Sequence, residues 1–216
     1  MKSYRHLTTP LLTFLLCLMH SQMVFVASAK TETQKLLASD GREPGQFGRS
    51  ISVYEDTALV SAYALNQVYA FRKNSTGAWE EYDKFGSGRG GLFGQSVSLY
   101  GSEAVIGAYQ EDFPSGAAYV YSEDSLGNWN MVKELDPLDT TDRFGSSSAI
   151  WDGTICVGAR FSAAAYIFDR DSNWDRTAKL VGNDTESGDS FGISVSVYEN
   201  RVLVGAPYVD DLGNQS

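Results

Sequence analysis

Whatever chemistry this 216-residue chain performs falls to carboxylates and guanidinium groups. It holds 27 Asp and Glu against 17 Lys and Arg, a net charge of −10, but only 2 His and 2 Cys. His6, His20 and Cys17 all lie in an opening stretch that starts Met1-Lys2, carries an apolar run from Leu11 to Leu18, and closes in Val26-Ala27-Ser28-Ala29 before Lys30. That is the pattern of a secretory leader, residues 1–29, cleaved near Ala29. Thr13, His20, Ser21 and Gln22 interrupt the run well short of the ~20 apolar residues that a membrane span needs. A chain without its leader has no imidazole, which excludes Ser-His and Cys-His nucleophile activation and every His-ligated zinc or iron site. Its net charge becomes −12, because Lys2 and Arg5 leave with the leader, and tracking of nucleic-acid phosphates is excluded with it. Cys156 then stands alone, in an apolar run that suits a buried, inert thiol. Asn74, Asn183 and Asn214 begin Asn-x-Ser/Thr sequons beside turn residues, the surface setting that glycosylation of a secreted chain requires.

Which carboxylates can act together depends on the fold, and the fold is written in a repeat. Starting at Phe47, Phe93, Phe144 and Phe191, the chain reads FGRSISVYEDTALVSAY, FGQSVSLYGSEAVIGAY, FGSSSAIWDGTICVGAR and FGISVSVYENRVLVGAP, at spacings of 46, 51 and 47 residues. A period of roughly 40 to 50 residues made of short apolar strands is that of one four-stranded β-propeller blade. After each Phe-Gly, small residues occupy one parity (Ser50 and Ser52, Ser96 and Ser98, Ser147 and Ala149, Ser194 and Ser196) and mostly larger apolar ones the other, as an innermost strand crowded on one face demands. A tight turn leads to a second, wholly apolar strand that ends in Gly-Ala, or Ser61-Ala62 in the first repeat, where a glycine suggests close approach of another backbone. A third strand alternates aromatics, Tyr69 and Phe71, Tyr119 and Tyr121, Tyr166 and Phe168, read as packing between blades. A fourth begins at Trp79, Trp129 or Trp174.

Lys35-Leu36-Leu37 precedes the first Phe-Gly just as Lys179-Leu180-Val181 precedes Phe191, so it reads as an orphan fourth strand able to complete a last blade and close a ring. The sequence thus predicts an all-β fold, a partial β-propeller of about 3.5 four-stranded antiparallel blades over residues 30–216, with the fourth repeat stopping after its first two strands.

The Phe-Gly openings and the Val-Gly-Ala closes, fullest from Phe191 to Pro207, resemble FG-GAP repeats, the units of the integrin α-subunit propeller. The resemblance covers essentially all of residues 31–216. It implies a propeller, usually of about seven blades, used outside the cell for recognition or adhesion. Calcium-binding members carry a D-x-D-x-D-G-like loop between strands one and two, since Ca²⁺ needs six to eight converging oxygens. All four of those connections are tight turns here, so no cofactor is expected. Asp169, Asp171, Asn173 and Asp175 alternate but belong to a hairpin turn.

In a propeller the connections from strand two to three, and from blade to blade, leave by one face. That face collects Asp112, Asp139, Asp142, Arg160, Asp189, Asp210 and Asp211, with Arg42, Glu43, Arg143, Asp184 and Glu186 around them. The expectation is a secreted, non-catalytic binding module that takes a cationic or polyhydroxylated extracellular ligand, a glycan or a protein, on this rim. Paired carboxylates could instead make a propeller glycosidase or lyase, but the inner strands hold no acid at all. A third reading is a structural piece of a longer repeat protein, or a homodimer in which two copies of 3.5 blades close a ring of seven.

Overall fold

The structure, a computed structural model, describes residues 24–28, 31–41, 45–139, 142–186 and 188–209. Residues 1–23 of the expected leader, together with Arg42, Glu43, Asp210, Asp211 and Asn214, lie outside the described residues. Within them the chain is a partial β-propeller: three complete four-stranded antiparallel blades, with a two-stranded sheet at either end. The first pair is β1 (Val24–Ser28) and β2 (Thr31–Leu36). Blade 1 is β3 (Phe47–Tyr54), β4 (Thr57–Ala62), β5 (Gln67–Lys73) and β6 (Trp79–Phe85). Blade 2 is β7 (Ser96–Tyr100), β8 (Glu103–Ala108), β9 (Ala117–Glu123) and β10 (Trp129–Glu134). Blade 3 is β11 (Phe144–Trp151), β12 (Thr154–Ala159), β13 (Ala164–Asp169) and β14 (Asp175–Leu180), and the last pair is β15 (Ser194–Tyr198) and β16 (Arg201–Gly205). The expected orphan strand is therefore present as β2, and it is paired with β1, which falls inside the segment read as leader.

The repeat residues explain why blades form and stack. In the three complete blades the Phe of the Phe-Gly pair folds over the third-strand aromatics: Phe47 lies 5.5 Å from Tyr69, Phe93 5.9 Å from Tyr119 and Phe144 5.7 Å from Tyr166, centroid to centroid. These tyrosine rings are fully buried, each contributing roughly 2–3 kcal/mol of apolar burial. Phe85 of blade 1 reaches across to Phe93, Tyr121 and Trp129 of blade 2, so the aromatic stripe does pack between blades. The Phe-Gly glycines sit at positive φ, as Gly145 does at 85°, and a Cβ there would lie 2.1 Å from the Ala117 carbonyl oxygen. The second-strand glycines meet them: a Cβ on Gly107 would lie 2.0 Å from the Gly145 carbonyl oxygen, and one on Gly158 1.9 Å from that of Gly192. Two backbones touch at each of these points, as the Gly-Ala ends suggested.

The small-residue parity of the inner strands also acquires a reason. Ser50 and Ser52 accept hydrogen bonds from the backbone N–H groups of Val97 and Leu99 in the next blade, both at 3.0 Å, and Ser98 accepts from Ile150 at 3.1 Å. Ser96 and Ser147 donate forward to the carbonyls of Gly145 and Gly192. An innermost strand has one edge without a ladder partner, and these hydroxyls satisfy it. At the far end of the same strands Tyr54, Tyr100, Trp151 and Tyr198 form a continuous ladder of tilted rings, with centroids 4.9, 4.8 and 4.6 Å apart.

Candidate loop-face site

The connections expected to share a face do so around blades 2 and 3. The Arg143 N–H donates to the Pro114 carbonyl at 2.8 Å and the Phe144 N–H to that of Ser115 at 2.9 Å, which ties the blade 2 to blade 3 crossover onto the strand-two-to-three loop of blade 2. The Asp142 N–H donates to Ser162 Oγ at 2.7 Å, which adds the corresponding loop of blade 3, a single 3₁₀ turn over Arg160–Ser162. Asp112, Arg143 and Ala163 hold the tight corners at positive φ. The two strand-two-to-three loops thus place Tyr109, Phe113 and Phe161 beside the charged residues of the crossover.

On that surface the Arg143 guanidinium lies over three rings, 4.6 Å from Phe161, 5.4 Å from Tyr109 and 5.5 Å from Phe113. Arg160 shares two of them, 4.9 Å from Phe161 and 5.9 Å from Tyr109. Phe113 is 65% exposed and Phe161 48%. Neither guanidinium makes an ion pair among the described residues, and the Arg160 Nε and the Asp142 Oδ1 are buried atoms without a hydrogen-bond partner. Stacking covers guanidinium faces and leaves their N–H edges in plane, which is the geometry that grips a carboxylate or sulfate. Asp112 is exposed and Asp142 half-buried on the same loops.

Next to this patch lies an open groove of ≈490 Å³, lined by Ser115, Gly116, Ala117, Glu134, Leu135, Asp136, Pro137 and Asp139. Its acids are largely neutralised. Asp139 accepts from Arg176 at 2.9 Å and pairs with Lys179 at 3.1 Å, and the Lys179 hydrogen bond holds its carboxyl below the ordinary range. Glu134 pairs with Arg89 at 2.9 Å, and Asp136 accepts from the Leu138 N–H. Beneath them Glu111 is 3% exposed, accepts from the Tyr119 hydroxyl and faces Arg89 at 3.6 Å; burial first, then Glu111, pushes the Tyr119 phenol far upward. Asp189 accepts from the Glu186 N–H at 2.6 Å within its own loop.

Of the residues expected on the rim, then, Asp112, Asp142 and Arg160 come together, Asp139 walls the groove, and Asp189 shapes a separate loop. The rings of Tyr109, Phe113 and Phe161 were not singled out from the sequence. Their signal was available: Tyr63, Tyr109 and Phe161 each follow the end of strand two within one or two residues. Elsewhere, Asp169 accepts from Thr154 and Thr177, and Asp175 pairs with Lys133, so these hairpin acids are tied to neighbouring strands. Asn183 is exposed, whereas the Asn74 amide donates to Glu80 and its oxygen closes a turn. Cys156 is fully buried, and burial pushes its thiol up to about 12.

Comparison with known proteins adds two findings. A family profile described as FG-GAP repeat matches residues 31–78, 86–121 and 174–216. Among solved structures, a chain of Kuenenia stuttgartiensis hydrazine synthase superposes with a TM-score of 0.50 at 13% identity over 70% of this chain, which spans 38% of that enzyme chain and shares its fold alone. No curated protein is significantly similar to the sequence.

Proposed function

Since the chain belongs to the FG-GAP repeat family, we propose that it works as a secreted, non-catalytic recognition module whose loop face binds an extracellular glycan or protein. One observation supports this reading above the rest: two guanidinium groups without ion-pair partners among the described residues, stacked on shared and partly exposed rings, in a protein whose net charge is −10. Buried or half-buried arginines in an acidic protein ordinarily find a carboxylate. Here no carboxylate among the described residues pairs with either. A ligand that offers an acid to Arg143 and Arg160, hydroxyl donors to Asp112 and Asp142, and an apolar face to Phe113 and Phe161 satisfies all three. An acidic polysaccharide has those features, and the ligand class is accordingly narrower than the cationic partner that the acidic composition suggests.

The test is calorimetric titration of the chain with oligosaccharides of hyaluronan, against neutral dextran as control. Binding that weakens at least tenfold in Arg143→Ala and in Arg160→Ala, with no turnover of the sugar, is the expected result. Equal binding by the wild type and both variants removes the loop-face assignment, and release of shortened sugar removes the non-catalytic one.

A further inference from the structure

The groove beside Asp139 has a counterpart one blade earlier, and the two differ in chemistry. Ser115, Gly116 and Ala117 line the later groove together with Leu135, Asp136 and Pro137. At the corresponding positions between blades 1 and 2, Leu65, Asn66 and Gln67 meet Gly86, Gly88 and Gly90 around an open groove of ≈320 Å³. The strand register fixes the correspondence, since Gln67 faces Ala62 as Ala117 faces Ala108. The fold thus forms a groove at both junctions, and the side chains decide what each can hold. Glu134, Asp136 and Asp139 wall the later one, whereas glycine and two carboxamides wall the earlier one without a charge. Arg89, between Gly88 and Gly90, turns its guanidinium away to Glu134 at 2.9 Å and to Glu111 at 3.6 Å.

We propose that this earlier groove is a binding site for an N-acetylated hexosamine, held by its acetamido group. Gln67 Oε1 is a buried acceptor without a hydrogen-bond donor, a state that costs roughly 1–3 kcal/mol. The last torsion of a glutamine is broad and roughly two-fold, so a half-turn of the carboxamide presents that acceptor to the groove. Asn66 stands beside it at φ 57°. Its Oδ1 accepts from the Phe93 N–H at 3.1 Å, which fixes the amide and leaves its NH₂ group as a donor. That group borders Gly90, where a Cβ would lie 3.9 Å from Nδ2. Gly88 and Gly90, both at positive φ, have N–H groups with no acceptor among the described residues.

An acetamido group needs an acceptor for its N–H, donors for its carbonyl and a methyl-sized space, and the groove supplies all three. A Cβ on Gly86 would lie 2.5 Å from the Asn66 carbonyl oxygen, whereas one on Gly88 would meet nothing within 4 Å. Packing accounts for the first glycine, and the bare wall at Gly88 leaves room for a ligand. The volume stands at the lower end of the range for small-ligand sites, about 300–1,000 Å³, as suits one sugar unit. A peptide bond has the same two polar groups but brings side chains, and Leu65 alone among the lining residues offers them an apolar contact.

The site rests on the reading of the loop face as glycan-binding, but on none of the residues around Arg143. Its test is calorimetric titration of the chain with chitotetraose, which carries an acetamido group on every ring and no acid. The control is cellotetraose, which has the same linkage and hydroxyls in place of the acetamido groups. Chitotetraose should bind at least tenfold more tightly than cellotetraose. Gln67→Leu keeps the side-chain size and breaks no hydrogen bond among the described residues, so it should keep the wild-type circular dichroism and lose at least tenfold in affinity. Gly88→Asn, with a residue that tolerates positive φ, sets a side chain into the groove and should lose as much. Absence of chitotetraose binding, equal binding of the two sugars, or undiminished binding by Gln67→Leu overturns the proposal. Chitotetraose offers no acid to Arg143 or Arg160, so hyaluronan binding through those arginines stands or falls by its own titration.

Discussion

Asn74 shows how one side chain can hold a turn in place of several backbone bonds. Its Oδ1 accepts from the Thr76 N–H at 2.9 Å, the Thr76 hydroxyl at 2.7 Å and the Ala78 N–H at 3.0 Å. Asp124 does the same work in blade 2, accepting from the N–H groups of Leu126 and Asn128, and this holds its carboxyl below the ordinary value. Asn74→Ala should therefore cost about 1–2 kcal/mol in urea unfolding, the scale of a lost cap, and Asn74→Asp, which keeps the turn acceptor, should still destabilise because it sets a carboxylate against Glu80, to which the Asn74 amide donates. The same logic fixes the sign of an acid effect. Asp124 and Asp139 have folded-state pKa values depressed below the unfolded one, so the stability they contribute is present above about pH 4 and is lost as the pH falls through the lower, folded values. Melts recorded from pH 6 to pH 3 should fall less steeply in Asp139→Asn than in the wild type. Cys156 belongs to the opposite regime: with its thiol raised by burial, it should react with a thiol reagent only on unfolding, at the global unfolding rate.

At the scale of the strand, glycine and serine decide how closely blades approach. Gly145 combines φ of 85° with a backbone carbonyl 2.1 Å from where a Cβ would stand, so Gly145→Ala has to push blades 2 and 3 apart as well as adopt a disfavoured backbone. A loss on the order of 3 kcal/mol is expected, measurable by denaturant titration, while Gly101→Ala, at a turn with open space around it, should lose about 1 kcal/mol. These features were legible in the sequence because they recur: the Phe-Gly pair, the serine parity and the Gly-Ala ends each appear once per repeat. Strand β1 was not legible, since Val24–Ser28 adjoins an apolar run and a small-x-small motif that read equally well as a leader. Periodicity cannot tell a hydrophobic strand from a hydrophobic signal when only one copy is present. The Arg143–Phe161 cluster escaped for a different reason. Its members come from three loops of different length, brought together by the backbone bonds of Asp142, Arg143 and Phe144.

Among the described residues each blade packs against the next, so stability resembles a sum of blade terms and interface terms. Trp151 sits at the centre of the aromatic ladder, between Tyr100 of blade 2 and Tyr198 of the last half-blade, and so contributes to two interfaces at once. Trp151 is half-buried, so Trp151→Ala should cost about 2 kcal/mol, less than the loss of a fully buried aromatic. More telling is the shape of the transition. With one interface weakened on each side of blade 3, the segments before and after it no longer unfold together, and a single sigmoid should split or broaden with a reduced apparent m-value. The remaining tryptophans report on this separately, because Trp79 and Trp129 belong to blades 1 and 2 whereas Trp174 immediately precedes β14 of blade 3. Fluorescence of variants that keep only Trp129 or only Trp174, compared with far-ultraviolet circular dichroism, should give different midpoints in the Trp151→Ala background and coincident ones in its presence. Coincident midpoints in both would mean that the inner-strand serine bonds alone make the blades cooperative, and that the ladder is dispensable for it.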